Sequence, residues 1–141
     1  MGLDSIFGIA GSALNAQTTR MNTVASNLAN ASTVASTEQE AFRAKRSVFK
    51  AMVEQQLNPQ DAPYQGGVKI QSINDDPAPV RKMFEPGSPL ADKDGFVYAS
   101  NVNEMTEMVE MMAASRSYQN NVEVVNTARQ LMMRTLDITR S

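Results

Sequence analysis

The chain has 141 residues, a formal net charge of −2, and neither Cys nor His. That length fits one domain, or a small domain with extended arms, and the near-neutral charge gives no reason to expect a nucleic-acid partner. Without Cys and His, the sequence excludes disulfide scaffolds, thiol catalysis, imidazole proton transfer and Ser-His-Asp triads. It also excludes zinc sites built from those residue types, and we expect no metal and no cofactor.

The N-terminal arm carries an apolar seam in which most members are seven residues apart. The seam consists of Phe7, Leu14, Met21, Val24 and Leu28. Such spacing is typical of a helix that packs against a partner helix. We therefore predict a helix over residues 3–30. An acidic Asp4 stands where a secretory signal would be basic, so we expect no cleaved signal peptide.

Residues 21–37 contain no charged side chain, and small residues surround most of the predicted helix there. The stretch is too polar to span a membrane, because Asn and Ser recur along it. A helix that faces solvent usually keeps Lys and Glu on its outer face. We interpret this outer face as one that another protein surface covers; the alternative is a weak, partly disordered terminal helix.

The C-terminal arm repeats the seam more loosely, on two adjacent rows. The apolar members are Met108, Met112, Val122, Val125, Met132 and Leu136. We predict a helix over residues 103–138 that pairs with the N-terminal helix as an antiparallel coiled coil. Ser115, Gln119 and Arg129 interrupt the seam, and we expect them to fix its register or the choice of partner.

Methionine is concentrated in this same arm. Six of the ten methionines lie there: Met105, Met108, Met111, Met112, Met132 and Met133. Flexible thioether chains suit ordinary core filling, and they also suit a helix that packs against several slightly different neighbours. Both interpretations predict that the methionines are buried.

The middle of the chain, residues 37–100, includes all six Pro and has a less regular pattern. Residues 37–40 read as a capping box, and an apolar face at Phe42, Phe49, Met52, Val53 and Leu57 favours a helix. The stretch 41–50 fits an exposed strand equally well. Beyond a linker at 55–67, we predict strands over 68–73 and 96–99.

Three motifs in the middle segment have ordinary explanations. Residues 92–95 resemble a calcium loop only weakly, because the Gly comes too early and no bidentate Glu follows, so we predict a turn. Arg43, Lys45, Arg46 and Lys50 lie among acidic residues and predict a solvated face. A turn also explains the adjacent Asp75 and Asp76. No group of residues supports catalysis.

Motifs stand at both ends of the chain and in its middle. Residues 12–30 have a Leu-x-Ala-Gln start and an Asn-Leu-Ala-Asn close, and residues 107–121 form a second motif. These two segments resemble the N-terminal and C-terminal signatures of a known family, the flagellar rod and hook axial proteins. Residues 84–98 and 101–103 resemble the insert of its proximal rod members. The matching motif residues are Ala16, Gln17, Asn27, Leu28, Ala29, Asn30, Pro86, Gly87, Glu107, Met108, Val109, Arg116, Tyr118 and Asn121.

The resemblance covers nearly the whole chain, with two departures. Asn120 stands where the family often has Ala, and residues 52–65 have no clear counterpart. The resemblance implies a mainly α fold with a small β insert: residues 1–36 and 101–141 as an inner coiled-coil domain, and residues 37–100 as a β-hairpin-like domain with its linker. It favours strand over helix for residues 42–50.

The resemblance also implies a structural role in the flagellar basal body. The chain would travel unfolded through the flagellar type III export apparatus, self-associate in the rod that spans the periplasm, and contact other rod proteins and the junction with the membrane ring. It would transmit torque towards the distal rod and hook and line the export channel. No nucleic acid and no small-molecule substrate are implied.

Two other functions are compatible with parts of the sequence. A soluble coiled-coil adaptor or secretion chaperone would also have long helices, but it would show charged residues beside its seam. The scarcity of charge in residues 3–37 argues against that class. A wall hydrolase would need paired carboxylates in a cleft, and the sequence gives no sign of such a pair.

Overall fold

The computed structural model describes residues 3–52 and 66–140. Helix α1 covers Leu3–Ala29 and helix α2 covers Glu104–Arg140, so the two predicted terminal helices are confirmed, each within two residues of its predicted bounds. The strands are β1 at Val34–Ala35, β2 at Lys45–Ala51, β3 at Val68–Asp75, β4 at Arg81–Phe84 and β5 at Phe96–Ala99. Most of the predicted linker, with Val53 and Leu57, lies outside the described residues.

The described residues divide into two compact units. Unit 1 comprises residues 3–20, 48–52, 66–72 and 113–140, and unit 2 comprises residues 21–47 and 73–112. Each unit therefore contains a segment of both helices and some strand residues. The pairing of α1 and α2 as an antiparallel coiled coil, and the division at residues 36 and 100, stay predictions.

Local hydrogen bonds define the helix ends in unit 2. Asn103 caps α2, because its Oδ1 accepts a hydrogen bond from the backbone N–H of Thr106 at 3.1 Å. Glu104 and Glu107 occupy the first turn of α2, where a negative charge is favoured by the helix dipole. At the end of α1, the N–H of Asn30 bonds to the carbonyls of Ser26 and Asn27.

A three-stranded antiparallel sheet in unit 2 has the order β1, β5, β4. The predicted strand at residues 96–99 is confirmed, and it is the central strand. The turn before β5 is confirmed as well: the Asp92 carboxylate accepts hydrogen bonds from the N–H groups of Asp94 and Phe96. Gly95 completes this turn with a φ of 82°, and a Cβ there would lie 2.9 Å from a ring carbon of Phe84.

Strands β2 and β3 form a separate two-stranded sheet. The strand predicted over residues 68–73 is confirmed, and the helix that local pattern favours beyond residue 41 is wrong, since β2 occupies Lys45–Ala51. The capping-box residues form a turn instead, in which Glu40 N–H donates to Thr37 Oγ1 at 3.3 Å. A capping motif satisfies the start of a turn as well as that of a helix, and pairing with β3 decides the conformation that follows.

The core of unit 2 is built from small side chains. Ala31, Ala44 and Val102 are buried together, and Phe42 packs against them. Ala44 is fully buried in this cluster, where close packing favours a small side chain. In unit 1 the buried apolar residues are also small: Ala10, Ala16, Ala114 and Ala128.

Candidate functional site: a buried polar network

The seam residues differ widely in exposure within this chain. Val24 is buried, and seven members are half-buried: Phe7, Leu14, Met21, Leu28, Val122, Val125 and Met132. Met108, Met112 and Leu136 are exposed by 54%, 63% and 53%. Their role in helix pairing and subunit contact stays a prediction.

The expectation that the C-terminal methionines are buried is wrong for a single chain. Met105, Met108, Met112 and Met133 all expose more than half of their surface, and Met111 and Met132 are half-buried. Among the described residues, too little protein surrounds these four side chains to cover them. Any burial of this group must come from outside the described part of the chain.

Asn27, the first residue of the Asn-Leu-Ala-Asn motif, is fully buried at the end of α1. Its side-chain amide pairs with the backbone of Lys45 on both sides: Nδ2 donates to the Lys45 carbonyl at 2.9 Å, and Oδ1 accepts from the Lys45 N–H at 2.8 Å. The same Nδ2 donates its second hydrogen to Glu107 Oε2 at 3.0 Å. Both hydrogens of its Nδ2 and its Oδ1 therefore have hydrogen-bond partners, as a buried polar group requires.

Glu107, from the C-terminal signature, is the fully buried carboxylate of this network. Its Oε2 receives the hydrogen bond from Asn27, and its Oε1 accepts one from Arg46 Nη1 at 2.5 Å. Burial of a carboxylate is tolerated when it is both paired with a cation and hydrogen-bonded. The Asn27 amide and the Arg46 guanidinium together meet these two conditions.

Asp76 extends the network from Arg46 to the loop after β3. Arg46 Nε donates to Asp76 Oδ2 at 3.1 Å, while Asp76 Oδ1 accepts from the N–H of Ala78 at 2.9 Å. The predicted turn at Asp75 and Asp76 is thus confirmed at Asp76, whose side chain bonds to the backbone two residues on. Its second oxygen has a role in the network that the turn alone does not explain.

Asn101 bonds to the backbone of Ala44, the residue just before Lys45 and Arg46. Its Oδ1 accepts from the N–H of Ala44 at 2.7 Å, and its Nδ2 donates to the carbonyl of Ala78 at 2.8 Å. The carbonyl of Ala44 in turn accepts from the N–H of Asp76 at 2.7 Å. The backbone of Ala44 and Lys45 is therefore held by the side chains of Asn101 and Asn27 and by the backbone of Asp76, while the side chain of Arg46 bonds to Glu107 of α2.

The electrostatics of the network favour the charged forms of Arg46 and Asp76. Burial by itself lowers the pKa of Arg46, but hydrogen bonds and attraction to Glu107 and then Asp76 outweigh it and raise that pKa above its ordinary value. The backbone hydrogen bond from Ala78 lowers the pKa of Asp76, against the effect of burial, and Arg46 lowers it further. Both groups therefore stay ionised at neutral pH.

Arg46 and Asp76 belong to the network but were not identified from the sequence as site residues. Arg46 belongs to a basic run that predicts a solvated face, and its side chain is 39% exposed, but its guanidinium also reaches the fully buried Glu107, which the run does not indicate. Arg43 pairs with Glu38 at 3.5 Å, and Lys45 pairs with the exposed Asp75. Linear charge patterns do not reveal an ion pair between residues 61 positions apart.

The other family-motif residues are spread over both units. Ala16 is buried, and Gln17 is half-buried, with its Oε1 in contact with no hydrogen-bond partner in the described part of the chain. Half-buried positions are Leu28, Asn30, Tyr118 and Asn121. Exposed positions are Ala29, Pro86, Gly87, Met108, Val109 and Arg116.

The network is suited to positioning and not to covalent chemistry. Its polar groups are bonded to one another, and the one carboxylate without solvent access is held by Arg46 and Asn27. Among residues 3–52 and 66–140, no cluster of three or more acidic side chains could hold a metal ion. Neither described helix has a stretch long and apolar enough to cross a membrane.

Comparison with known proteins adds two family matches. The family model of the flagella basal body rod protein matches residues 7–34, and the model of the flagellar basal body rod FlgEFG protein C-terminal matches residues 93–138. These two segments contain Asn27 and Glu107. The class of protein is thus a flagellar rod protein with a family signature at each end.

Comparison with individual relatives shows which kind of rod protein the chain resembles. The chain is 49% identical to the flagellar basal-body rod protein FlgC of Yersinia enterocolitica, 47% identical to that of Escherichia coli O6:H1 and 46% identical to that of Salmonella typhimurium. Each alignment covers 98% of this chain and 98% of the relative. The chain therefore belongs to the FlgC family and is a structural subunit of the flagellar basal-body rod. These relatives bear the name of a structural protein, in agreement with the expectation that the chain is not an enzyme.

Proposed function

We propose that this rod subunit builds the proximal rod through its terminal helices, which pair as an antiparallel coiled coil and contact the helices of neighbouring subunits. In this arrangement the helices line the export channel, and the β strands lie outside them. The subunit carries torque from the membrane ring towards the distal rod and hook. Its partners are other copies, other rod proteins and the junction with the membrane ring.

A stripe of exposed apolar side chains on α2 carries this proposal. Its members are Met105, Met108, Val109 and Met112, with exposures of 72%, 54%, 54% and 63%. Their spacing of three and four residues places them on one face of the helix. A helix that remains in water normally has charged side chains on its outer face, and this stripe has none. A second protein surface that covers the stripe accounts for its composition.

Torque transmission follows from such contacts if they repeat along the rod. A head-to-tail interface that does not close on itself generates a helical assembly, in which each subunit contacts several neighbours. Stable interfaces bury on the order of 1,600 Å² in total. A long helix with an apolar face supplies part of that area on each side, and methionine adapts to neighbours that differ slightly.

We further propose that the subunit is exported as an unfolded chain by the flagellar type III export apparatus and that it assembles across the periplasm. A sequence without Cys supports this route, because neither the reducing nor the oxidising compartment changes its covalent structure. No nucleic acid and no small-molecule substrate take part.

The test replaces Met112 by Lys in a strain that lacks the wild-type chain. A charge on the exposed stripe must be desolvated when a neighbour covers it, and such burial is strongly unfavourable. We expect swimming in soft agar to be lost and the variant to be missing from isolated basal bodies, while its export from the cytoplasm continues. The same result is expected for Leu28→Lys, at the half-buried end of α1.

Two matched variants control for the chemical change. Met112→Leu keeps an apolar side chain and should swim normally. Gln71→Lys adds the same charge at an exposed position of β3 and should also assemble. Normal swimming of Met112→Lys would contradict the proposed interface, and loss of export in that variant would show that the defect precedes assembly.

A further inference from the structure

The start of β2 is held by groups that come from distant parts of the sequence. The N–H of Ala44 bonds to Asn101, both backbone groups of Lys45 bond to Asn27, and the side chain of Arg46 bonds to Glu107. Only in the folded unit 2 do the end of α1 and the start of α2 meet at these three consecutive residues. Neither helix segment alone completes the set of hydrogen bonds.

The side chain of Asn27 links Lys45 of β2 to Glu107 of α2. Its Nδ2 has two hydrogens, one for the Lys45 carbonyl and one for Glu107, while its Oδ1 serves the Lys45 N–H. An Asp would supply the acceptor and neither donor, and a Ser would supply one donor at most. A Gln is longer by one methylene in a fully buried site. The geometry therefore requires a neutral amide of this length.

The requirement for a neutral donor depends on the charge of Glu107. The network contains two carboxylates, Glu107 and Asp76, and one guanidinium, Arg46. A third carboxylate at position 27 would stand about one hydrogen-bond length from a fully buried anion, where like charges repel strongly. Asn27 and Glu107 thus form a matched pair, in which one residue is acceptable only because of the other.

We propose that Asn27 is a specificity-determining residue which makes the docking of β2 onto α1 conditional on Glu107 of α2. The pair acts as an interlock: unit 2 reaches its assembly-competent structure only when both terminal signatures are in place. The conformation of residues 45–47 of β2 then depends on whether α2 is correctly placed, and the N–H of Lys45 bonds directly to Asn27.

The consequence for the rod goes beyond the proposed contacts of the subunit. A chain whose α2 is absent or misplaced would lack Glu107, and the start of β2 would lose its position. Such a chain would present an incomplete unit 2 to its neighbours. The interlock would therefore admit complete subunits to the rod and exclude damaged ones.

The experiment measures amide hydrogen exchange at Lys45 in the purified full-length chain. We expect Asn27→Asp to accelerate this exchange by at least about tenfold, because the variant loses two donors and places two carboxylates together. In the double variant that combines Asn27→Asp with Glu107→Gln, we expect Lys45 to exchange at least about fivefold more slowly than in Asn27→Asp alone. In the double variant the new amide at position 107 can donate to the carboxylate at position 27 while its oxygen still accepts from Arg46.

A rescue of this kind distinguishes a matched pair from two independent structural residues. Independent residues would give a double variant that exchanges at least as fast as Asn27→Asp alone, and that result would overturn the proposal. Rapid exchange of Lys45 in the wild-type chain would overturn it too, since the interlock would then not form. Because the measurement uses the purified chain, its result does not depend on the contacts proposed for the rod.

Discussion

Two faces of the same short segment of α2 differ in a way that is unusual for a helix. Glu107 is charged and fully buried, whereas Met105, Met108, Val109 and Met112 are apolar and exposed. In most soluble proteins the charged residue would face water and the methionines would form the core. We infer that the segment has two roles: its polar face stabilises the fold of unit 2, and its apolar face is the surface proposed above for contact with other subunits.

The division has a physical rationale. Apolar contacts are strong but not selective, whereas a buried hydrogen-bonded charge tolerates few alternative partners. The larger apolar side chains of this segment are exposed, and the core of unit 2 has mainly small ones, such as Ala31, Ala44 and Val102. In the proposal made above, the network of Asn27 and Glu107 supplies the specificity that a small core lacks.

Removal of the buried Glu107 carboxylate should destabilise the fold, as expected if the polar face of this segment stabilises unit 2. Glu107→Ala leaves one hydrogen of the Asn27 amide without an acceptor and removes a partner of Arg46. We expect the free energy of unfolding to fall by about 3 kcal/mol, since the loss of one partner of a buried ion pair typically costs about 3–5 kcal/mol. Urea denaturation followed by circular dichroism measures it.

Glu104→Ala is the matched control for this variant. Glu104 lies three residues earlier on α2 and is exposed, and it accepts a hydrogen bond of 3.3 Å from Ser32. The expected loss is below about 1 kcal/mol, the usual range for a charge near a helix N-terminus. Equal losses at positions 104 and 107 would mean that burial of Glu107 has no special importance.

Low pH should weaken the pairing of Asp76 with Arg46, with a smaller loss of unfolding free energy than Glu107→Ala causes. The pKa of Asp76 is lower in the folded chain than its ordinary value, so its contribution to stability is present at pH values above about 4. It is lost as the pH falls through the folded pKa. Because Arg46 is 39% exposed, we expect the contribution to be about 1 kcal/mol or less.

A comparison of the wild type with Asp76→Asn isolates this effect from other carboxylates. An Asn can still accept the hydrogen bond from Ala78, but it carries no charge. The difference in unfolding free energy between the two chains should shrink between pH 7 and pH 3. A difference that stays constant over this range would show that ionisation of Asp76 is not involved.

Regular elements could be predicted from the sequence wherever the pattern is local. The heptad spacing predicted α1 and α2 within two residues of their bounds, and alternation predicted the strand at 68–73. The short β1 and the exposed β4 were not predicted, since two residues or four exposed ones carry no periodic signal. The conformation of residues 45–51 depended on pairing with β3, which no window of sequence contains.

The candidate site could be predicted only in part. Asn27 and Glu107 stand in the two family signatures, so the resemblance indicated that they matter without stating why. Arg46 and Asp76 lie in segments that have ordinary local explanations, a solvated basic run and a turn. Their role depends on contacts over 30 and 61 residues of sequence, which only the folded chain brings together.

The most direct test of the account asks whether the exposed stripe belongs to the fold or to the assembly. The measurement is the free energy of unfolding of the purified Met112→Lys chain. Because Met112 is 63% exposed, we predict a value within about 0.5 kcal/mol of the wild type, as for most surface substitutions. A loss of about 2 kcal/mol or more would contradict the account, since it would place Met112 in the core of the subunit itself.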